Sequence, residues 1–437
     1  MQKIMAIIMV LVTVFISFSM ACGESVEQME LTSAYEPTVA VEWMDLLCDR
    51  VQAEGYSPPV ASRIFAYSSI ALYESVVKGM PDYKSLTLYL NDMPEMPDID
   101  PTLSYDWPSS AISAMATVAE GLLEPSSVET EDIIHQLRDT QLENRRNAGV
   151  DEEIIERSTT YGLDVANAVL EWARDDGYEH TRGLTYEPPS GVGMWVRTPP
   201  KFAPALEPHW GQLRPFVIES TSSCEPPPPV TYSENPNSEF YQQAMSVYEA
   251  VNNLTADQQA IAEFWADSPG TTRTPPGHWL NITTQMVGKF DMQLDEAAEL
   301  YALVGIALGD SFISCWYEKY KSNLLRPITY IQNHIDEDWI SPVTTPPFPE
   351  YVSGHSVVSG AIYTVLTHIL GTVSFTDTTH EDLGLEVRSF SSFEEAANEA
   401  AISRLYGGIH YPMGIENGIV QGECIGQQII DKVIIKE

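Results

Sequence analysis

Three short stretches in the last third of the chain carry residue types that bind and work on oxyanions. They read Lys319-Tyr-Lys-Ser-Asn-Leu-Leu-Arg326-Pro327, Phe348-Pro-Glu-Tyr-Val-Ser353-Gly354-His355 and Ser403-Arg404-Leu-Tyr-Gly-Gly-Ile-His410-Tyr-Pro412. Against a background of 62 acidic and 23 basic side chains, a lysine, two arginines and two histidines gathered this closely stand out. If they converge in space they form an anion site. Guanidinium groups grip oxyanions in forked, two-point contacts, and imidazole near its ordinary pKa ligates metals or carries protons.

The elements that must position these residues follow from local pattern. Lys319 and Arg326 are two helical turns apart, so on one continuous helix both side chains would leave the same face. Pro327 then discourages further helix and leaves Arg326 near its end. Ser353-Gly354-His355 precedes the apolar run 356–370, which reads as a helix with Ser353 as N-cap. Free backbone N–H groups at such a start bind oxyanions, and Gly354 allows close approach. Arg404 closes a helical stretch from about Phe393, and Gly407-Gly408 lets the chain turn and present His410 from a loop.

Together the three patches resemble the signature shared by vanadium-dependent haloperoxidases and the type-2 phosphatidic acid phosphatase superfamily: Lys, six residues, Arg-Pro; Pro-Ser-Gly-His; Ser-Arg, five residues, His. More of the resemblance is to the haloperoxidase branch. Trp316 and Phe348 stand where that branch lines its oxyanion pocket, and Phe264-Trp-Ala-Asp-Ser-Pro-Gly, running into Pro275-Pro-Gly-His-Trp279, also looks like bacterial haloperoxidase sequence. The fold implied is all-α, a large helical bundle with the site between core helices. The resemblance implies that Lys319, Arg326, Ser353, Gly354 and Arg404 hold the oxygens of a vanadate cofactor. It also implies that His410 is the axial vanadium ligand and that His355 handles the protons of hydrogen peroxide. The expected reaction is oxidation of a halide, iodide or bromide before chloride, to hypohalous acid that can pass to small organic acceptors.

Two positions depart from the signature. Val352 replaces Pro, which alters the stiffness of the helix entry. Gly414 replaces the Asp that usually follows the second His by four, so His410 needs another acceptor for its second nitrogen, with Glu416 or a backbone carbonyl as candidates. Two alternatives remain: an acid phosphatase in which His410 attacks phosphorus and His355 protonates the leaving oxygen, and an oxyanion-binding lipoprotein without turnover. Gly414 weighs against the phosphatase, and retention of both histidines weighs against the binder.

Upstream, Met1-Gln-Lys3 and the apolar run from Ile4 to Phe18 read as a secretory leader at 1–22. Ala21 before Cys22 fits a lipoprotein signal that leaves Cys22 lipidated, with ordinary cleavage nearby as the alternative. Either way the protein is exported, and a lipid on Cys22 would be its membrane contact, since no later segment reads as apolar enough to span a bilayer. A formal charge of −39 excludes nucleic acid and anionic lipid surfaces as partners.

Residues 36–437 read as one large helical domain, with 294–434 carrying the site. Helical patterns cover Thr38 to Glu54, a run opened by Pro58-Pro59, Ala111 to Leu123, Ser238 to Asn253, Ala256 to Asp267, Leu294 to Lys321 and Ile415 to Val433. Ser127 to Ala148 and Asp151 to Asp176 read as an antiparallel helix pair with solvated charged faces, Arg138, Arg145 and Arg146 included. The prolines of 177–236 exclude long helix there, while Trp195, Phe202, Trp210 and Phe216 are too apolar for a free linker. This stretch reads as an ordered, packed loop, placed over helix ends in preference to walling the pocket. His278 reads as structural in preference to a pocket residue, and His380 as structural too. The one strand suggested is Thr372 to Phe375. Scattered cysteines allow one or two bridges, with Cys315 as a buried thiol.

Overall fold

The computed structural model describes residues 29–436; the leader and Cys22 lie outside the described residues. The all-helical expectation holds. In chain order the helices are α1 (Thr38–Glu54), α2 (Pro58–Val76), α3 (Trp107–Leu122), α4 (Val128–Asn147), α5 (Glu152–Arg174) and α6 (Tyr178–Arg182). They continue with α7 (Glu239–Asn252), α8 (Ala256–Phe264), α9 (Thr274–Lys289), α10 (Leu294–Ser322), α11 (Pro327–His334), α12 (Gly354–Leu370), α13 (Phe393–Tyr406) and α14 (Pro412–Lys432). One antiparallel pair, β1 (Phe375–Asp377) with β2 (Arg388–Phe390), completes the regular structure. The strand thus begins where the expected one ended.

At the centre is α10, packed on α2 along one side and on α12 along another. Among the described residues α10 alone is long and apolar enough to pass for a membrane span, contrary to the sequence reading, but 94% of its most apolar window is buried inside the protein. Its apolar faces are answered by other helices, as in any large core.

The site-bearing half depends on how closely α14 lies on α12. Glycines recur every four residues along α14, and at Gly422 an added Cβ would stand 2.2 Å from the carbonyl oxygen of Val357. Only glycine permits that approach. It fixes the start of α12, which carries His355, against the start of α14, which follows His410.

Two local expectations fail for physical reasons, and one helix appears where no helical pattern was read. The helices α4 and α5 are not paired with each other; both pack on α3, whose small residues Ala111 and Ala114 are fully buried. Arg145 is not a solvated charge: its Nη2 lies 2.6 Å from Oδ1 of Asp106, the buried N-cap of α3. The stretch after Gly270 is helical as α9, because Pro275 and Pro276 stand in its first turn, where no intrahelical N–H is required.

The proline-rich excursion after α6 holds no helix beyond a single 3-10 turn at Trp210–Gln212, yet it is anchored. The Asp310 carboxylate of α10 accepts the N–H groups of Phe216, Val217 and Ile218 at 2.6, 2.9 and 3.0 Å, and Trp195 and Trp210 are buried. A disulfide between Cys224 and Cys424 ties it to α14, while Cys48 and Cys315 are buried free thiols.

Candidate active site

The last turns of α10 deliver Trp316 and Lys319 into the core. The chain then leaves the helix at Asn323, which is left-handed at φ 46°. Arg326 is therefore not on the Lys319 face of one helix; it is the N-cap residue of α11, with Pro327 in the first turn. The two side chains still reach the same backbone. Lys319 Nζ donates to the carbonyls of Pro349 (3.2 Å), Glu350 (3.0 Å) and Val352. Arg326 Nε donates to Phe348 O at 2.7 Å, and its Nη1 to Ile409 O at 2.8 Å. Both cations brace the segment that leads into Ser353.

Ser353 caps α12, its Oγ accepting from Ser356 N at 3.3 Å. Gly354 and His355 follow in the first turn, where free N–H groups give the helix start a positive end. An added Cβ at Gly354 would meet only Trp316 Cζ3, at 3.5 Å, so space stands open above this backbone. From α13, Arg404 donates through Nε to Ser403 Oγ (2.9 Å) and through Nη2 to Trp265 O. Gly408, at φ 72°, turns the chain toward His410. The His410 ring is held at both nitrogens: Nδ1 lies 2.8 Å from Glu350 Oε1, and Nε2 lies 3.1 Å from Arg326 Nη1.

Gly354, His355, Arg404 and His410 line one cavity of about 520 Å³, together with Trp316 and Phe348. Lys319, Arg326 and Ser353 lie just beneath that lining and are fully buried. Trp316 and Phe348 pack at 4.9 Å between ring centroids, and Lys319 Nζ stands 4.9 Å over the Phe348 ring.

Electrostatics follow from packing so many cations out of water. Burial pushes the Lys319 ammonium down to about 7, with Arg326 adding to the effect. Burial alone carries Arg326 and Arg404 down to about 10, against the pull of Glu350 on the first and Asp267 on the second. His355 is lowered to about 4 by burial and by Arg404. His410 lies well below the usual imidazole range, through burial and then Arg326, Lys319 and Arg404. A neutral His410 with its proton on Nδ1, facing Glu350, has a lone pair on Nε2, which is what a metal ligand needs.

A family model described as the VCPO second helical-bundle domain matches residues 299–435. A crystal structure of a bacterial vanadium-dependent iodoperoxidase superposes with a TM-score of 0.86 at 38% identity, covering 92% of this chain and 98% of that one. The chain belongs to the vanadium-dependent haloperoxidase family. A bacterial vanadium-dependent chloroperoxidase shares the fold, with a TM-score of 0.67 at 15% identity over 88% of this chain and 93% of its own. The vanadium chloroperoxidase of Curvularia inaequalis is 27% identical over 264 residues, 49% of this chain and 43% of that protein. The chain thus spans less than half the length of that relative.

For a haloperoxidase, the donors here fit a vanadate. Arg326 Nη2 is a buried donor without a hydrogen-bond partner among the described residues, and a tetrahedral oxyanion offers the missing acceptor. The site also contains residues that spacing did not disclose. Glu350, and not Glu416 or a backbone carbonyl, meets His410 Nδ1. Glu416 is exposed. Glycine at 414 is required for this arrangement, since a Cβ there would stand 2.4 Å from Glu350 Oε1. Asp267 presents Oδ2 to His355 Nε2 at 3.4 Å. Its Oδ1 meets His278 Nδ1 at 3.0 Å and His380 Nε2 at 3.2 Å, and His278 Nε2 meets Asp377 at 2.8 Å. Asp267, His278 and His380 also hold their ligand atoms within 4.8 Å of one another, a spacing that suits a cation, though these hydrogen bonds account for it. His278 and His380 are thus absent from the cavity lining but joined to the site through Asp267.

Proposed function

We propose that this protein oxidises halide with hydrogen peroxide in the presence of bound vanadate, acting on iodide and bromide in preference to chloride. The observation that carries the reading is the convergence on one cavity of a doubly tethered His410, a second histidine, His355, and the buried cation Arg404, with Arg326 buried behind the lining against His410. The 38% identity to a bacterial iodoperoxidase supports it, as does the Trp316–Phe348 wall, a polarisable surface suited to a large, weakly hydrated anion.

In this reading His410 Nε2 would bind the vanadium, and Lys319, Arg326, Ser353, Gly354 and Arg404 would hold the oxyanion's oxygens. Bound vanadate supplies a Lewis-acid centre that activates peroxide toward the halide. His355 would carry the peroxide proton; its low proton affinity keeps the ring neutral in the resting site. Asp267 orients that ring and pairs with the imidazolium formed when the proton arrives. Glu350 keeps the His410 proton on Nδ1. The product is hypohalous acid. The disulfide Cys224–Cys424 supports export through the leader at residues 1–22, because such bridges persist in oxidising compartments.

The Glu350–His410 contact would equally equip Nε2 to attack phosphorus, so the test has two arms. Full-length protein is assayed for iodide and bromide oxidation by hydrogen peroxide before and after addition of orthovanadate, and for phosphate-ester hydrolysis without vanadate. Oxidation that requires vanadate and is suppressed by phosphate is expected. Ester hydrolysis without oxidation would move the protein to the phosphatase chemistry, and silence in both would leave an oxyanion binder.

A further inference from the structure

One wall of the cavity above His355 and His410 belongs to the proline-rich excursion, which covers the site and not merely helix ends: Thr198, Lys201, Ala203 and Leu206 all line it. This wall is fixed by hydrogen bonds. Leu206 O accepts from Tyr320 Oη at 2.6 Å and Trp316 Nε1 at 3.3 Å, while Leu206 N donates to Pro347 O at 2.9 Å. A few residues earlier, Phe202 N donates to Thr198 O at 3.0 Å and closes a turn around Lys201. Phe202 leaves that turn left-handed, at φ 45°, and is 57% exposed. Lys201 is both exposed and part of the lining, so it stands at the rim of the cavity.

The charges around this opening are unlike those of the rest of the chain. Acids outnumber basic side chains 62 to 23, yet Asp267 is the only carboxylate among the described lining residues, and it is buried and engaged by His278, His355 and His380. Two neighbouring cations are neutralised. Arg273, between the lining residues Thr271 and Pro275, meets Asp49 at 2.8 Å, and Arg182 is held at 2.9 Å by Glu207, next to the lining residue Leu206. Lys201 has no ion pair among the described residues. A molecule of net charge −39 repels an anion at long range. Within a Debye length, about 8–10 Å at ordinary salt, local charges decide the sign of the potential, and here they are the free Lys201 ammonium at the rim and the Arg404 guanidinium at the floor. Between them the walls are largely proline, and low-dielectric walls of this kind focus the field along the opening.

We propose that Lys201 is the entry residue for anions, drawing halide and orthovanadate to the mouth while leaving neutral hydrogen peroxide unaffected. For halide the proposal rests on the haloperoxidase reading above; for orthovanadate it needs only the oxyanion site. Lys201 is thus a specificity-determining residue and not a catalytic one. It governs how fast a charged substrate arrives, and the reacting atoms lie deeper, at His355 and His410.

The test uses the full chain with Lys201→Gln and Lys201→Glu, both at an exposed position. At an ionic strength of about 10 mM the Debye length is about 30 Å. There, kcat/KM for iodide is expected to fall about threefold in Lys201→Gln and about tenfold in Lys201→Glu. Both losses should shrink below about twofold in about 0.5 M sodium acetate, where screening is nearly complete. The corresponding value for hydrogen peroxide should stay at the wild-type level in either salt. The association rate of orthovanadate with vanadate-free protein, followed by tryptophan fluorescence because Trp316 lines the cavity, should fall in the same order as iodide. Anion rates indifferent to the charge at position 201, or losses that peroxide shares and salt does not relieve, would overturn the entry role and leave the haloperoxidase reading intact. Wild-type protein that oxidises no iodide would overturn that reading, and the orthovanadate rates alone would then decide the entry role.

Discussion

Two carboxylate–imidazole pairs stand side by side in this protein, and they are built differently. Glu350 and His410 meet at 2.8 Å, both essentially excluded from solvent, and the ring's other nitrogen faces Arg326. Asp267 and His355 stand 3.4 Å apart, the His355 side chain is 15% exposed, and it opens on the cavity. The tight pair has its tautomer and orientation fixed from both sides, as a ligand requires. The loose pair has room to gain a proton and rotate slightly, as an acid–base group requires. On the roles proposed above, one residue type would serve two tasks, separated by how many partners hold the ring.

The sharpest way to break the comparison is to remove each ring. His410→Ala should abolish turnover and weaken vanadate binding more than about 100-fold, since even outer partners of a metal ligand are worth roughly 10–100-fold. His355→Ala should retain vanadate within a few-fold and lose roughly 10²–10⁴ in turnover, the usual worth of a positioned proton carrier. Vanadate affinity comes from dialysis or isothermal titration, and turnover from triiodide formation. Equal losses of affinity in the two variants would erase the distinction.

A finer test concerns the tether. Glu350→Gln should cost about 10–100-fold in vanadate affinity by loosening the His410 tautomer. Gly414→Ala should destabilise the fold by about 1–3 kcal/mol, because its Cβ would press on the Glu350 carboxylate and the surrounding core would have to shift. Combining Glu350→Ala with Gly414→Asp should recover part of the lost vanadate affinity, by supplying the acceptor from α14 instead. Denaturant midpoints measure the Gly414→Ala effect and dialysis the two changes in vanadate affinity; a double variant no better than Glu350→Ala would show that position 414 cannot take over the role.

What was legible in the sequence divides along the same line. Ser353, Gly354 and His355 share one helix start, and Arg404 and His410 share one helix end and turn, so local spacing alone presents them. Glu350 and Asp267 reach their histidines through tertiary packing; Glu350 lies 60 residues before His410, and only the fold brings the two together. Glu350 nonetheless left a trace, because glycine at 414 in place of an acid implied an acceptor arriving from elsewhere. The main helices were readable from apolar periodicity, but their partners were not. Nothing in α4 or α5 says that each will choose α3. The helix α9 was hidden because Pro275-Pro276 is a breaker in a helix interior and an ordinary opening in a first turn. Lys319 and Arg326 obey helical spacing, yet a single left-handed Asn323 puts them on different elements.

The smallest expected effect lies one step behind the loose pair. His278 is buried between Asp267 and Asp377; burial alone would depress its pKa, but the two carboxylates outweigh it and raise the imidazolium to about 10. Arg404, His355 and His380 also face Asp267. Because the folded value lies above the ordinary 6.5, the charged ring's stabilisation is complete below pH 6.5. It declines as pH rises and is gone above about 10. The stability gap between wild type and His278→Gln, read from urea unfolding, should therefore be about 2–4 kcal/mol at pH 6 and shrink below about 1 kcal/mol near pH 10. Turnover should fall only a few-fold, with its pH profile displaced, because Asp267 loses its outer anchor while His355 keeps Asp267. A gap independent of pH would mean that His278 is neutral and holds Asp267 by hydrogen bonding alone.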